Sequence, residues 1–180
     1  MKKNTGLFFS TLIVCFFISN DLWAQSDEVT ITAASQKAKN FFLQGRDYLE
    51  NVENNTAILL FNKAIELDPK FAMAYLYRAQ SGGGYEIFRK NLEKAVKLSE
   101  KASQGERLLI LLAESLANED YIQAKTYVDQ LLQEFPKDKR VQTEAGNFFT
   151  SKGEHKEALK YYLSAVEIDS NYAPAYNALG

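Results

Sequence analysis

Small and large apolar residues recur along this chain at spacings that select helices, and the helices come in pairs. From Val141 onward, Gly146, Phe149, Ala158, Tyr162 and Ala165 are spaced +3, +9, +4 and +3. The steps of three and four keep neighbours on one helical face, and the step of nine crosses Gly153, where one helix ends before Glu154 starts its partner. Tyr176-Asn177-Ala178-Leu179-Gly180 then begins the same phrase again, with Gly146 and Gly180 34 residues apart. Such a period suits two short antiparallel helices that cannot bury their apolar faces alone and therefore stack on a neighbouring copy.

The frame extends towards the N-terminus. Copy 38–71 carries Phe41, Gly45, Tyr48, Ala57, Phe61, Ala64 and Pro69 in register, and copy 105–138 carries Leu108, Leu111, Leu112, Ala124, Val128, Leu131 and Pro136. Ala57 to Ala124 and Pro69 to Pro136 are both 67 residues, one short of two periods. The shortfall falls in the irregular copy 72–104, whose first helix (about 72–80) starts in frame with Tyr75 and Ala79. A shortened connection at Ser81-Gly82-Gly83-Gly84 follows, then a long second helix, about 86–101.

Over residues 36–180 the pattern resembles the tetratricopeptide repeat, a helix–turn–helix unit. The resemblance implies an all-α fold, a right-handed superhelical array of antiparallel helical hairpins with repeats at 38–71, 72–104, 105–138 and 139–172. It also implies that 173–180 begins a fifth repeat, so the chain is expected to be cut within it and to leave an open edge capable of self-association.

Local signals agree with this division. Ser35 is placed to cap the first helix and Asn54 or Asn55 the second. Asp68-Pro69 closes the first unit, because the residue before proline is pushed out of the helical region. Ser103 with Glu106 reads as a capping box before the helix 107–116, and Asn118 and Asp120 punctuate the next turn. Phe41, Tyr48, Phe61, Tyr75, Phe149, Tyr162 and Tyr176 fall at core spacing, whereas Tyr85, Tyr121, Tyr127, Tyr161 and Tyr172 have no assigned place.

Residues 1–24 form a separate object. Lys2 and Lys3 precede an apolar run of twelve, Leu7 to Ile18, and Ala24 offers a small residue for cleavage. A helix needs about 20 apolar residues to span a bilayer core, so the segment reads as a secretory signal. Export to the periplasm or beyond is expected, with a mature start near Gln25. Cys15 follows bulky Val14 inside that run, which reads as signal core rather than a lipid anchor. Residues 25–34 lack helical periodicity and are expected to be a short flexible lead-in.

Composition adds exclusions. With 46% apolar and 24% charged residues the chain is globular, and a net charge of −2 gives no electrostatic case for nucleic acid or an anionic membrane. One histidine, His155, with no cysteine outside the signal, supplies neither a metal set nor a nucleophile–base pair. Glu119-Asp120 sits at a turn. Gly82-Gly83-Gly84 lacks the Lys-Ser/Thr of a phosphate loop and reads as a helix connection. No cofactor and no enzymatic activity are expected.

The resemblance further implies that the first helix of each unit lines a concave face that binds protein or peptide. Carried over, that surface is Lys39, Phe42 and Arg46; Met73, Leu76 and Gln80; Glu106, Leu109 and Ala113; Arg140, Thr143 and Asn147; and Asn177. Phe42 and Leu76 stand where a carboxylate clamp for chaperone tails has polar residues. An asparagine ladder would need Asn where this chain has Leu43, Tyr77, Ile110, Glu144 and Ala178. A groove for a peptide or helix remains. The expected function is a non-enzymatic protein- or peptide-binding scaffold of the bacterial cell envelope. The alternatives are a sensory or spacer domain of a longer signalling protein, or the non-catalytic N-terminal part of an envelope enzyme.

Overall fold

The chain folds as a stack of helical hairpins, seen in a computed structural model that describes residues 27–179. The signal expected over 1–24, with Cys15, lies outside the described residues. Helices α1 (Gln36–Glu50) and α2 (Asn54–Leu67) form the first hairpin, and α3 (Ala72–Gln80) and α4 (Tyr85–Leu98) the second. The third is α5 (Gln104–Ala117) with α6 (Tyr121–Glu134), the fourth α7 (Lys139–Ser151) with α8 (His155–Ile168), and α9 (Ala173–Leu179) packs on α8. Among the described residues there is no strand, and no helix is long and apolar enough to cross a membrane.

Hairpin closure explains the residue spacing. Gly45 faces the Phe61 ring and Gly146 the Tyr162 ring, so the absent side chain on one helix makes room for the aromatic on its partner. Alanines at 57, 64, 124, 158 and 165 are all buried and let successive helices approach. The second helix of the irregular copy, expected to be long, is an α-helix of 14 residues, Tyr85–Leu98, the same length as α2, α6 and α8, followed by a 3₁₀ turn, Ser99–Lys101. The connection 81–84, expected to be shortened, has four residues against three in the other hairpins, and Gly82, Gly83 and Gly84 all take positive φ to reverse the chain there; it is the first helix, α3, that is short, at nine residues.

Caps follow the sequence at most ends. Ser35 Oγ accepts from Ala38 N–H at 3.3 Å, the Ser103–Glu106 capping box is complete, and Asp120 accepts from Gln123 N–H at 3.0 Å. The start of α2 differs: Asn54 and Asn55 lie inside its first turn, and Glu53 is the N-cap without a side-chain bond. The backbone has already turned at Val52, whose φ is 65°, and Glu53 N–H closes on Tyr48 O at 2.9 Å. Glu119 (φ 58°) and Gly153 (φ 74°) hold the same place in later hairpins. Val52 is 67% exposed, so its side chain contributes little packing while its backbone is strained. Val52→Gly is therefore expected to raise stability by about 1 kcal/mol, read as a higher urea midpoint at unchanged slope.

The segment expected as a flexible lead-in is, over 27–34, an extended strap laid across the hairpins. Val29, Ile31 and Ala33 are half-buried against the core, while Thr30, Thr32 and Ala34 face outward. Its backbone N–H groups donate to Asp68, Glu106 and Asp138, carboxylates distant in sequence but aligned by the fold.

Candidate inner cleft

The inner helices α3, α5 and α7 do not close on one another completely, and the space between them is a cleft of about 330 Å³. Its floor is apolar: Leu76 from α3, Phe88 from α4, and Leu109, Ala113, Leu116 and Ala117 from α5. Its other end is polar, with Tyr77, Gln80, Arg140 and Glu144. An apolar recess with a few fixed polar groups can take a side chain of a ligand and orient it.

The polar end is held by the first hairpin. Arg140 Nε donates to Glu50 Oε1 at 2.7 Å and its second nitrogen to Oε2 at 3.2 Å, a two-point pair joining α7 to the end of α1. Burial alone would lower the Arg140 guanidinium; the Glu50 carboxylate more than offsets this and holds it above its ordinary value. Arg46, one turn before Glu50, lies 5.9 Å above the Phe42 ring, and its buried Nε has no hydrogen-bond partner. Burial pushes the Tyr77 hydroxyl up to about 12, so it stays a neutral donor at any physiological pH.

Glu144 is the strained member. Burial raises its carboxyl above the ordinary range, opposed only by a long contact of 3.5 Å from Asn147 Nδ2. A carboxyl whose folded-state pKa is raised binds its proton more tightly when folded. Its ionisation thus weakens folding as pH rises through that value, and at low pH the penalty disappears. Glu144→Gln is expected to stabilise the protein at neutral pH and to make no difference at pH below the ordinary carboxylate range. Urea unfolding of both chains across that pH interval checks it.

The residues assigned to a concave surface from the sequence divide in two. Leu76, Gln80, Leu109, Ala113 and Arg140 do meet at the cleft, Leu76 with only 3% of its surface exposed. Phe42 does not: it is fully buried, with Phe71 at 4.9 Å and Tyr77 edge-on at 5.1 Å. Met73 and Thr143 are likewise buried. Glu106 is buried at the start of α5 and holds the strap. Lys39 and Arg46 are half-buried on α1, while Asn147 and Asn177 are exposed outside the cleft. Asn147 Oδ1 accepts from the Tyr162 hydroxyl at 3.0 Å.

Sequence reasoning missed Tyr77, Phe88, Glu144 and the closing Glu50. Tyr77 and Glu144 sit one residue after Leu76 and Thr143, at positions considered only for an asparagine ladder. Of the core aromatics expected, Phe61, Phe149 and Tyr162 are buried, but Tyr48 and Tyr176 are 40% and 49% exposed. Unassigned Tyr172 is buried beneath Lys139 and Arg140, whose cations lie 4.9 and 5.7 Å from its ring.

Comparison with known proteins bears on the repeat itself. Residues 146–180, which run from inside α7 through α8 to the end of α9, match the family model described as TPR repeat. That stretch is a tetratricopeptide repeat. Among curated proteins, this repeat protein is 29% identical over 137 residues to intraflagellar transport protein 70A of Danio rerio. That stretch is 75% of the present chain and spans 20% of the length of the curated relative. Among solved structures it is similar to YrrB, titled a TPR protein with an unusual peptide-binding site (20% identity, TM-score 0.42, 78% of this chain and 73% of that one). It is also similar to MamA (19% identity, TM-score 0.40, 75% and 80%).

Proposed function

We propose that this repeat protein is a non-enzymatic interaction scaffold and that its inner cleft receives an apolar side chain from a partner's peptide or helix. The observation that carries the proposal is the cleft's composition: an apolar floor across α3, α4 and α5 ending at the fixed Arg140–Glu50 pair. Burying one ligand side chain there is worth about 1.5–3 kcal/mol, and Tyr77, Gln80 and Arg140 supply direction. Among the described residues no group of three His, Cys, Asp or Glu could hold a metal ion.

Peptides selected from a random display library against the array provide the test. Ala113→Arg places a long cation on the cleft floor and is expected to weaken selected peptides about tenfold or more, the scale of an interface anchor. Lys160→Ala, on the outer helix α8, is expected to change nothing. Equal losses from both would place the ligand elsewhere.

The place of action is part of the proposal: export across the bacterial cytoplasmic membrane through the signal at 1–24, with work in the cell envelope. It is supported by Lys2-Lys3, the apolar run and Ala24. Intact-mass analysis of the exported protein is expected to show a start near Gln25, and retention of Met1 would contradict it.

A further inference from the structure

The strap over 27–34 occupies an edge with its own binding chemistry, and it shares no residue with the inner cleft. Three buried carboxylates, Asp68 in the turn before α3, Glu106 in the first turn of α5 and Asp138 at the N-cap of α7, each divide their oxygens between two duties. One Asp68 oxygen accepts from Lys70 N–H at 3.1 Å in its own turn, and the other accepts from Ala34 N–H at 2.7 Å. Glu106 Oε2 accepts from Ser103 N–H at 2.8 Å within the capping box, leaving Oε1 to Thr32 N–H at 2.9 Å. Asp138 Oδ1 caps α7 through Arg140 and Val141 N–H, while Oδ2 takes Val29 N–H at 2.8 Å.

The geometry is that of a peptide site. Five residues of extended chain reach about 17 Å, the width of two helix-to-helix steps of roughly 8–10 Å, so one strand from Ala34 to Val29 meets three successive helix starts. Backbone donors give affinity without regard to sequence, and the alternate side chains that point inward set the choice. With a strand lying across them these carboxylate oxygens are shut off from water and each needs a donor, so the edge selects a segment that presents an extended N–H ladder. Ser103 Oγ adds a donor to Thr30 O at 2.8 Å, and the Thr32 hydroxyl donates to Glu106.

We infer that this edge is an extended-peptide site held closed in cis by residues 27–34, and that it accepts in their place a partner's extended segment of the same chemistry. That segment has β-branched residues at two alternate inward positions, a small residue at the third, and no charge at any of them. The strap's light hold favours displacement: its three inward side chains are only half-buried and its outward face is open. The ion pair at its far end, Asp27–Lys137, is exposed at 3.6 Å.

The test uses the full chain carrying Ile31→Asp and Thr32→Pro. The first change charges an inward position, and the second deletes the donor to Glu106. A labelled peptide with the sequence of residues 27–34 is the probe. It is expected to bind this variant at least ~10-fold more tightly than the unaltered chain, where the tethered strap competes at an effective concentration on the order of millimolar. The same peptide with proline at the Thr32 position, or aspartate at the Val29 and Ile31 positions, is expected not to bind. Independently of any variant, hydrogen exchange at the amides of Val29, Thr32 and Ala34 in the unaltered chain is expected to be slow. Equal binding to both chains, indifference to the peptide's pattern, or fast exchange at those three amides would each overturn the inference. So would a concentration-dependent dimer of the unaltered chain that the double variant does not form, since a second copy's strap would then be the occupant.

Discussion

Phe42→Ala is expected to remove about 3–5 kcal/mol of folding stability, the range for truncating a fully buried phenylalanine. Phe42 has no exposed surface and touches three rings, Phe61 at 5.9 Å, Phe71 at 4.9 Å and Tyr77 at 5.1 Å, from three different helices or their connections. Its loss opens a cavity at the junction of the first two hairpins, and the Arg46 guanidinium loses the ring beneath it. The expectation from the repeat pattern alone was different. On a concave face the same change would weaken a bound peptide by about 1 kcal/mol or more. Urea unfolding separates the two: a large fall in midpoint places Phe42 in the core, and an unchanged midpoint with weaker peptide binding returns it to the groove.

Gly146→Val is expected to cost about 1–3 kcal/mol through overpacking, towards the upper end. A Cβ at this position would lie 2.3 Å from Tyr162 Cε1 and 2.6 Å from Cδ1. The ring cannot swing away cheaply, because the Tyr162 hydroxyl is bonded to Asn147 Oδ1 and Thr150 Oγ1, each at 3.0 Å. Tyr162→Leu should therefore be less harmful in the Gly146→Ala background than alone, a coupling visible in a double-mutant cycle. Additive losses would mean that residue 146 is not the seat of that ring, and the register of the fourth hairpin would be wrong.

Much of this was legible because small residues at helix contacts are local necessities. Gly45 and Gly146 are glycine since an aromatic from the partner helix fills the space, and the buried alanines at 57, 124 and 158 repeat the register of 67 and 34. The left-handed turn residues Val52, Glu119 and Gly153 keep the same spacing, yet only one is glycine, so the turn at α2 was misread as an asparagine cap. The concave face was less legible. Whether Phe42 or Met73 is covered depends on how steeply the next hairpin leans, which arises from packing between units rather than from any one helix. The strap was not legible: Val29, Ile31 and Ala33 make an alternation too short to stand out, and Asp68, Glu106 and Asp138 lie 34 to 109 residues from their partners.

The inner cleft is the centre of the account, and methyl-resolved NMR of the array titrated with a library-selected peptide tests it most directly. A peptide seated in the cleft is expected to shift the methyl groups of Leu76, Leu109 and Ala113 on its floor, with no shift at Leu159 and Leu163 on the outer helix α8. Shifts at Leu159 and Leu163 with a silent cleft floor would contradict it.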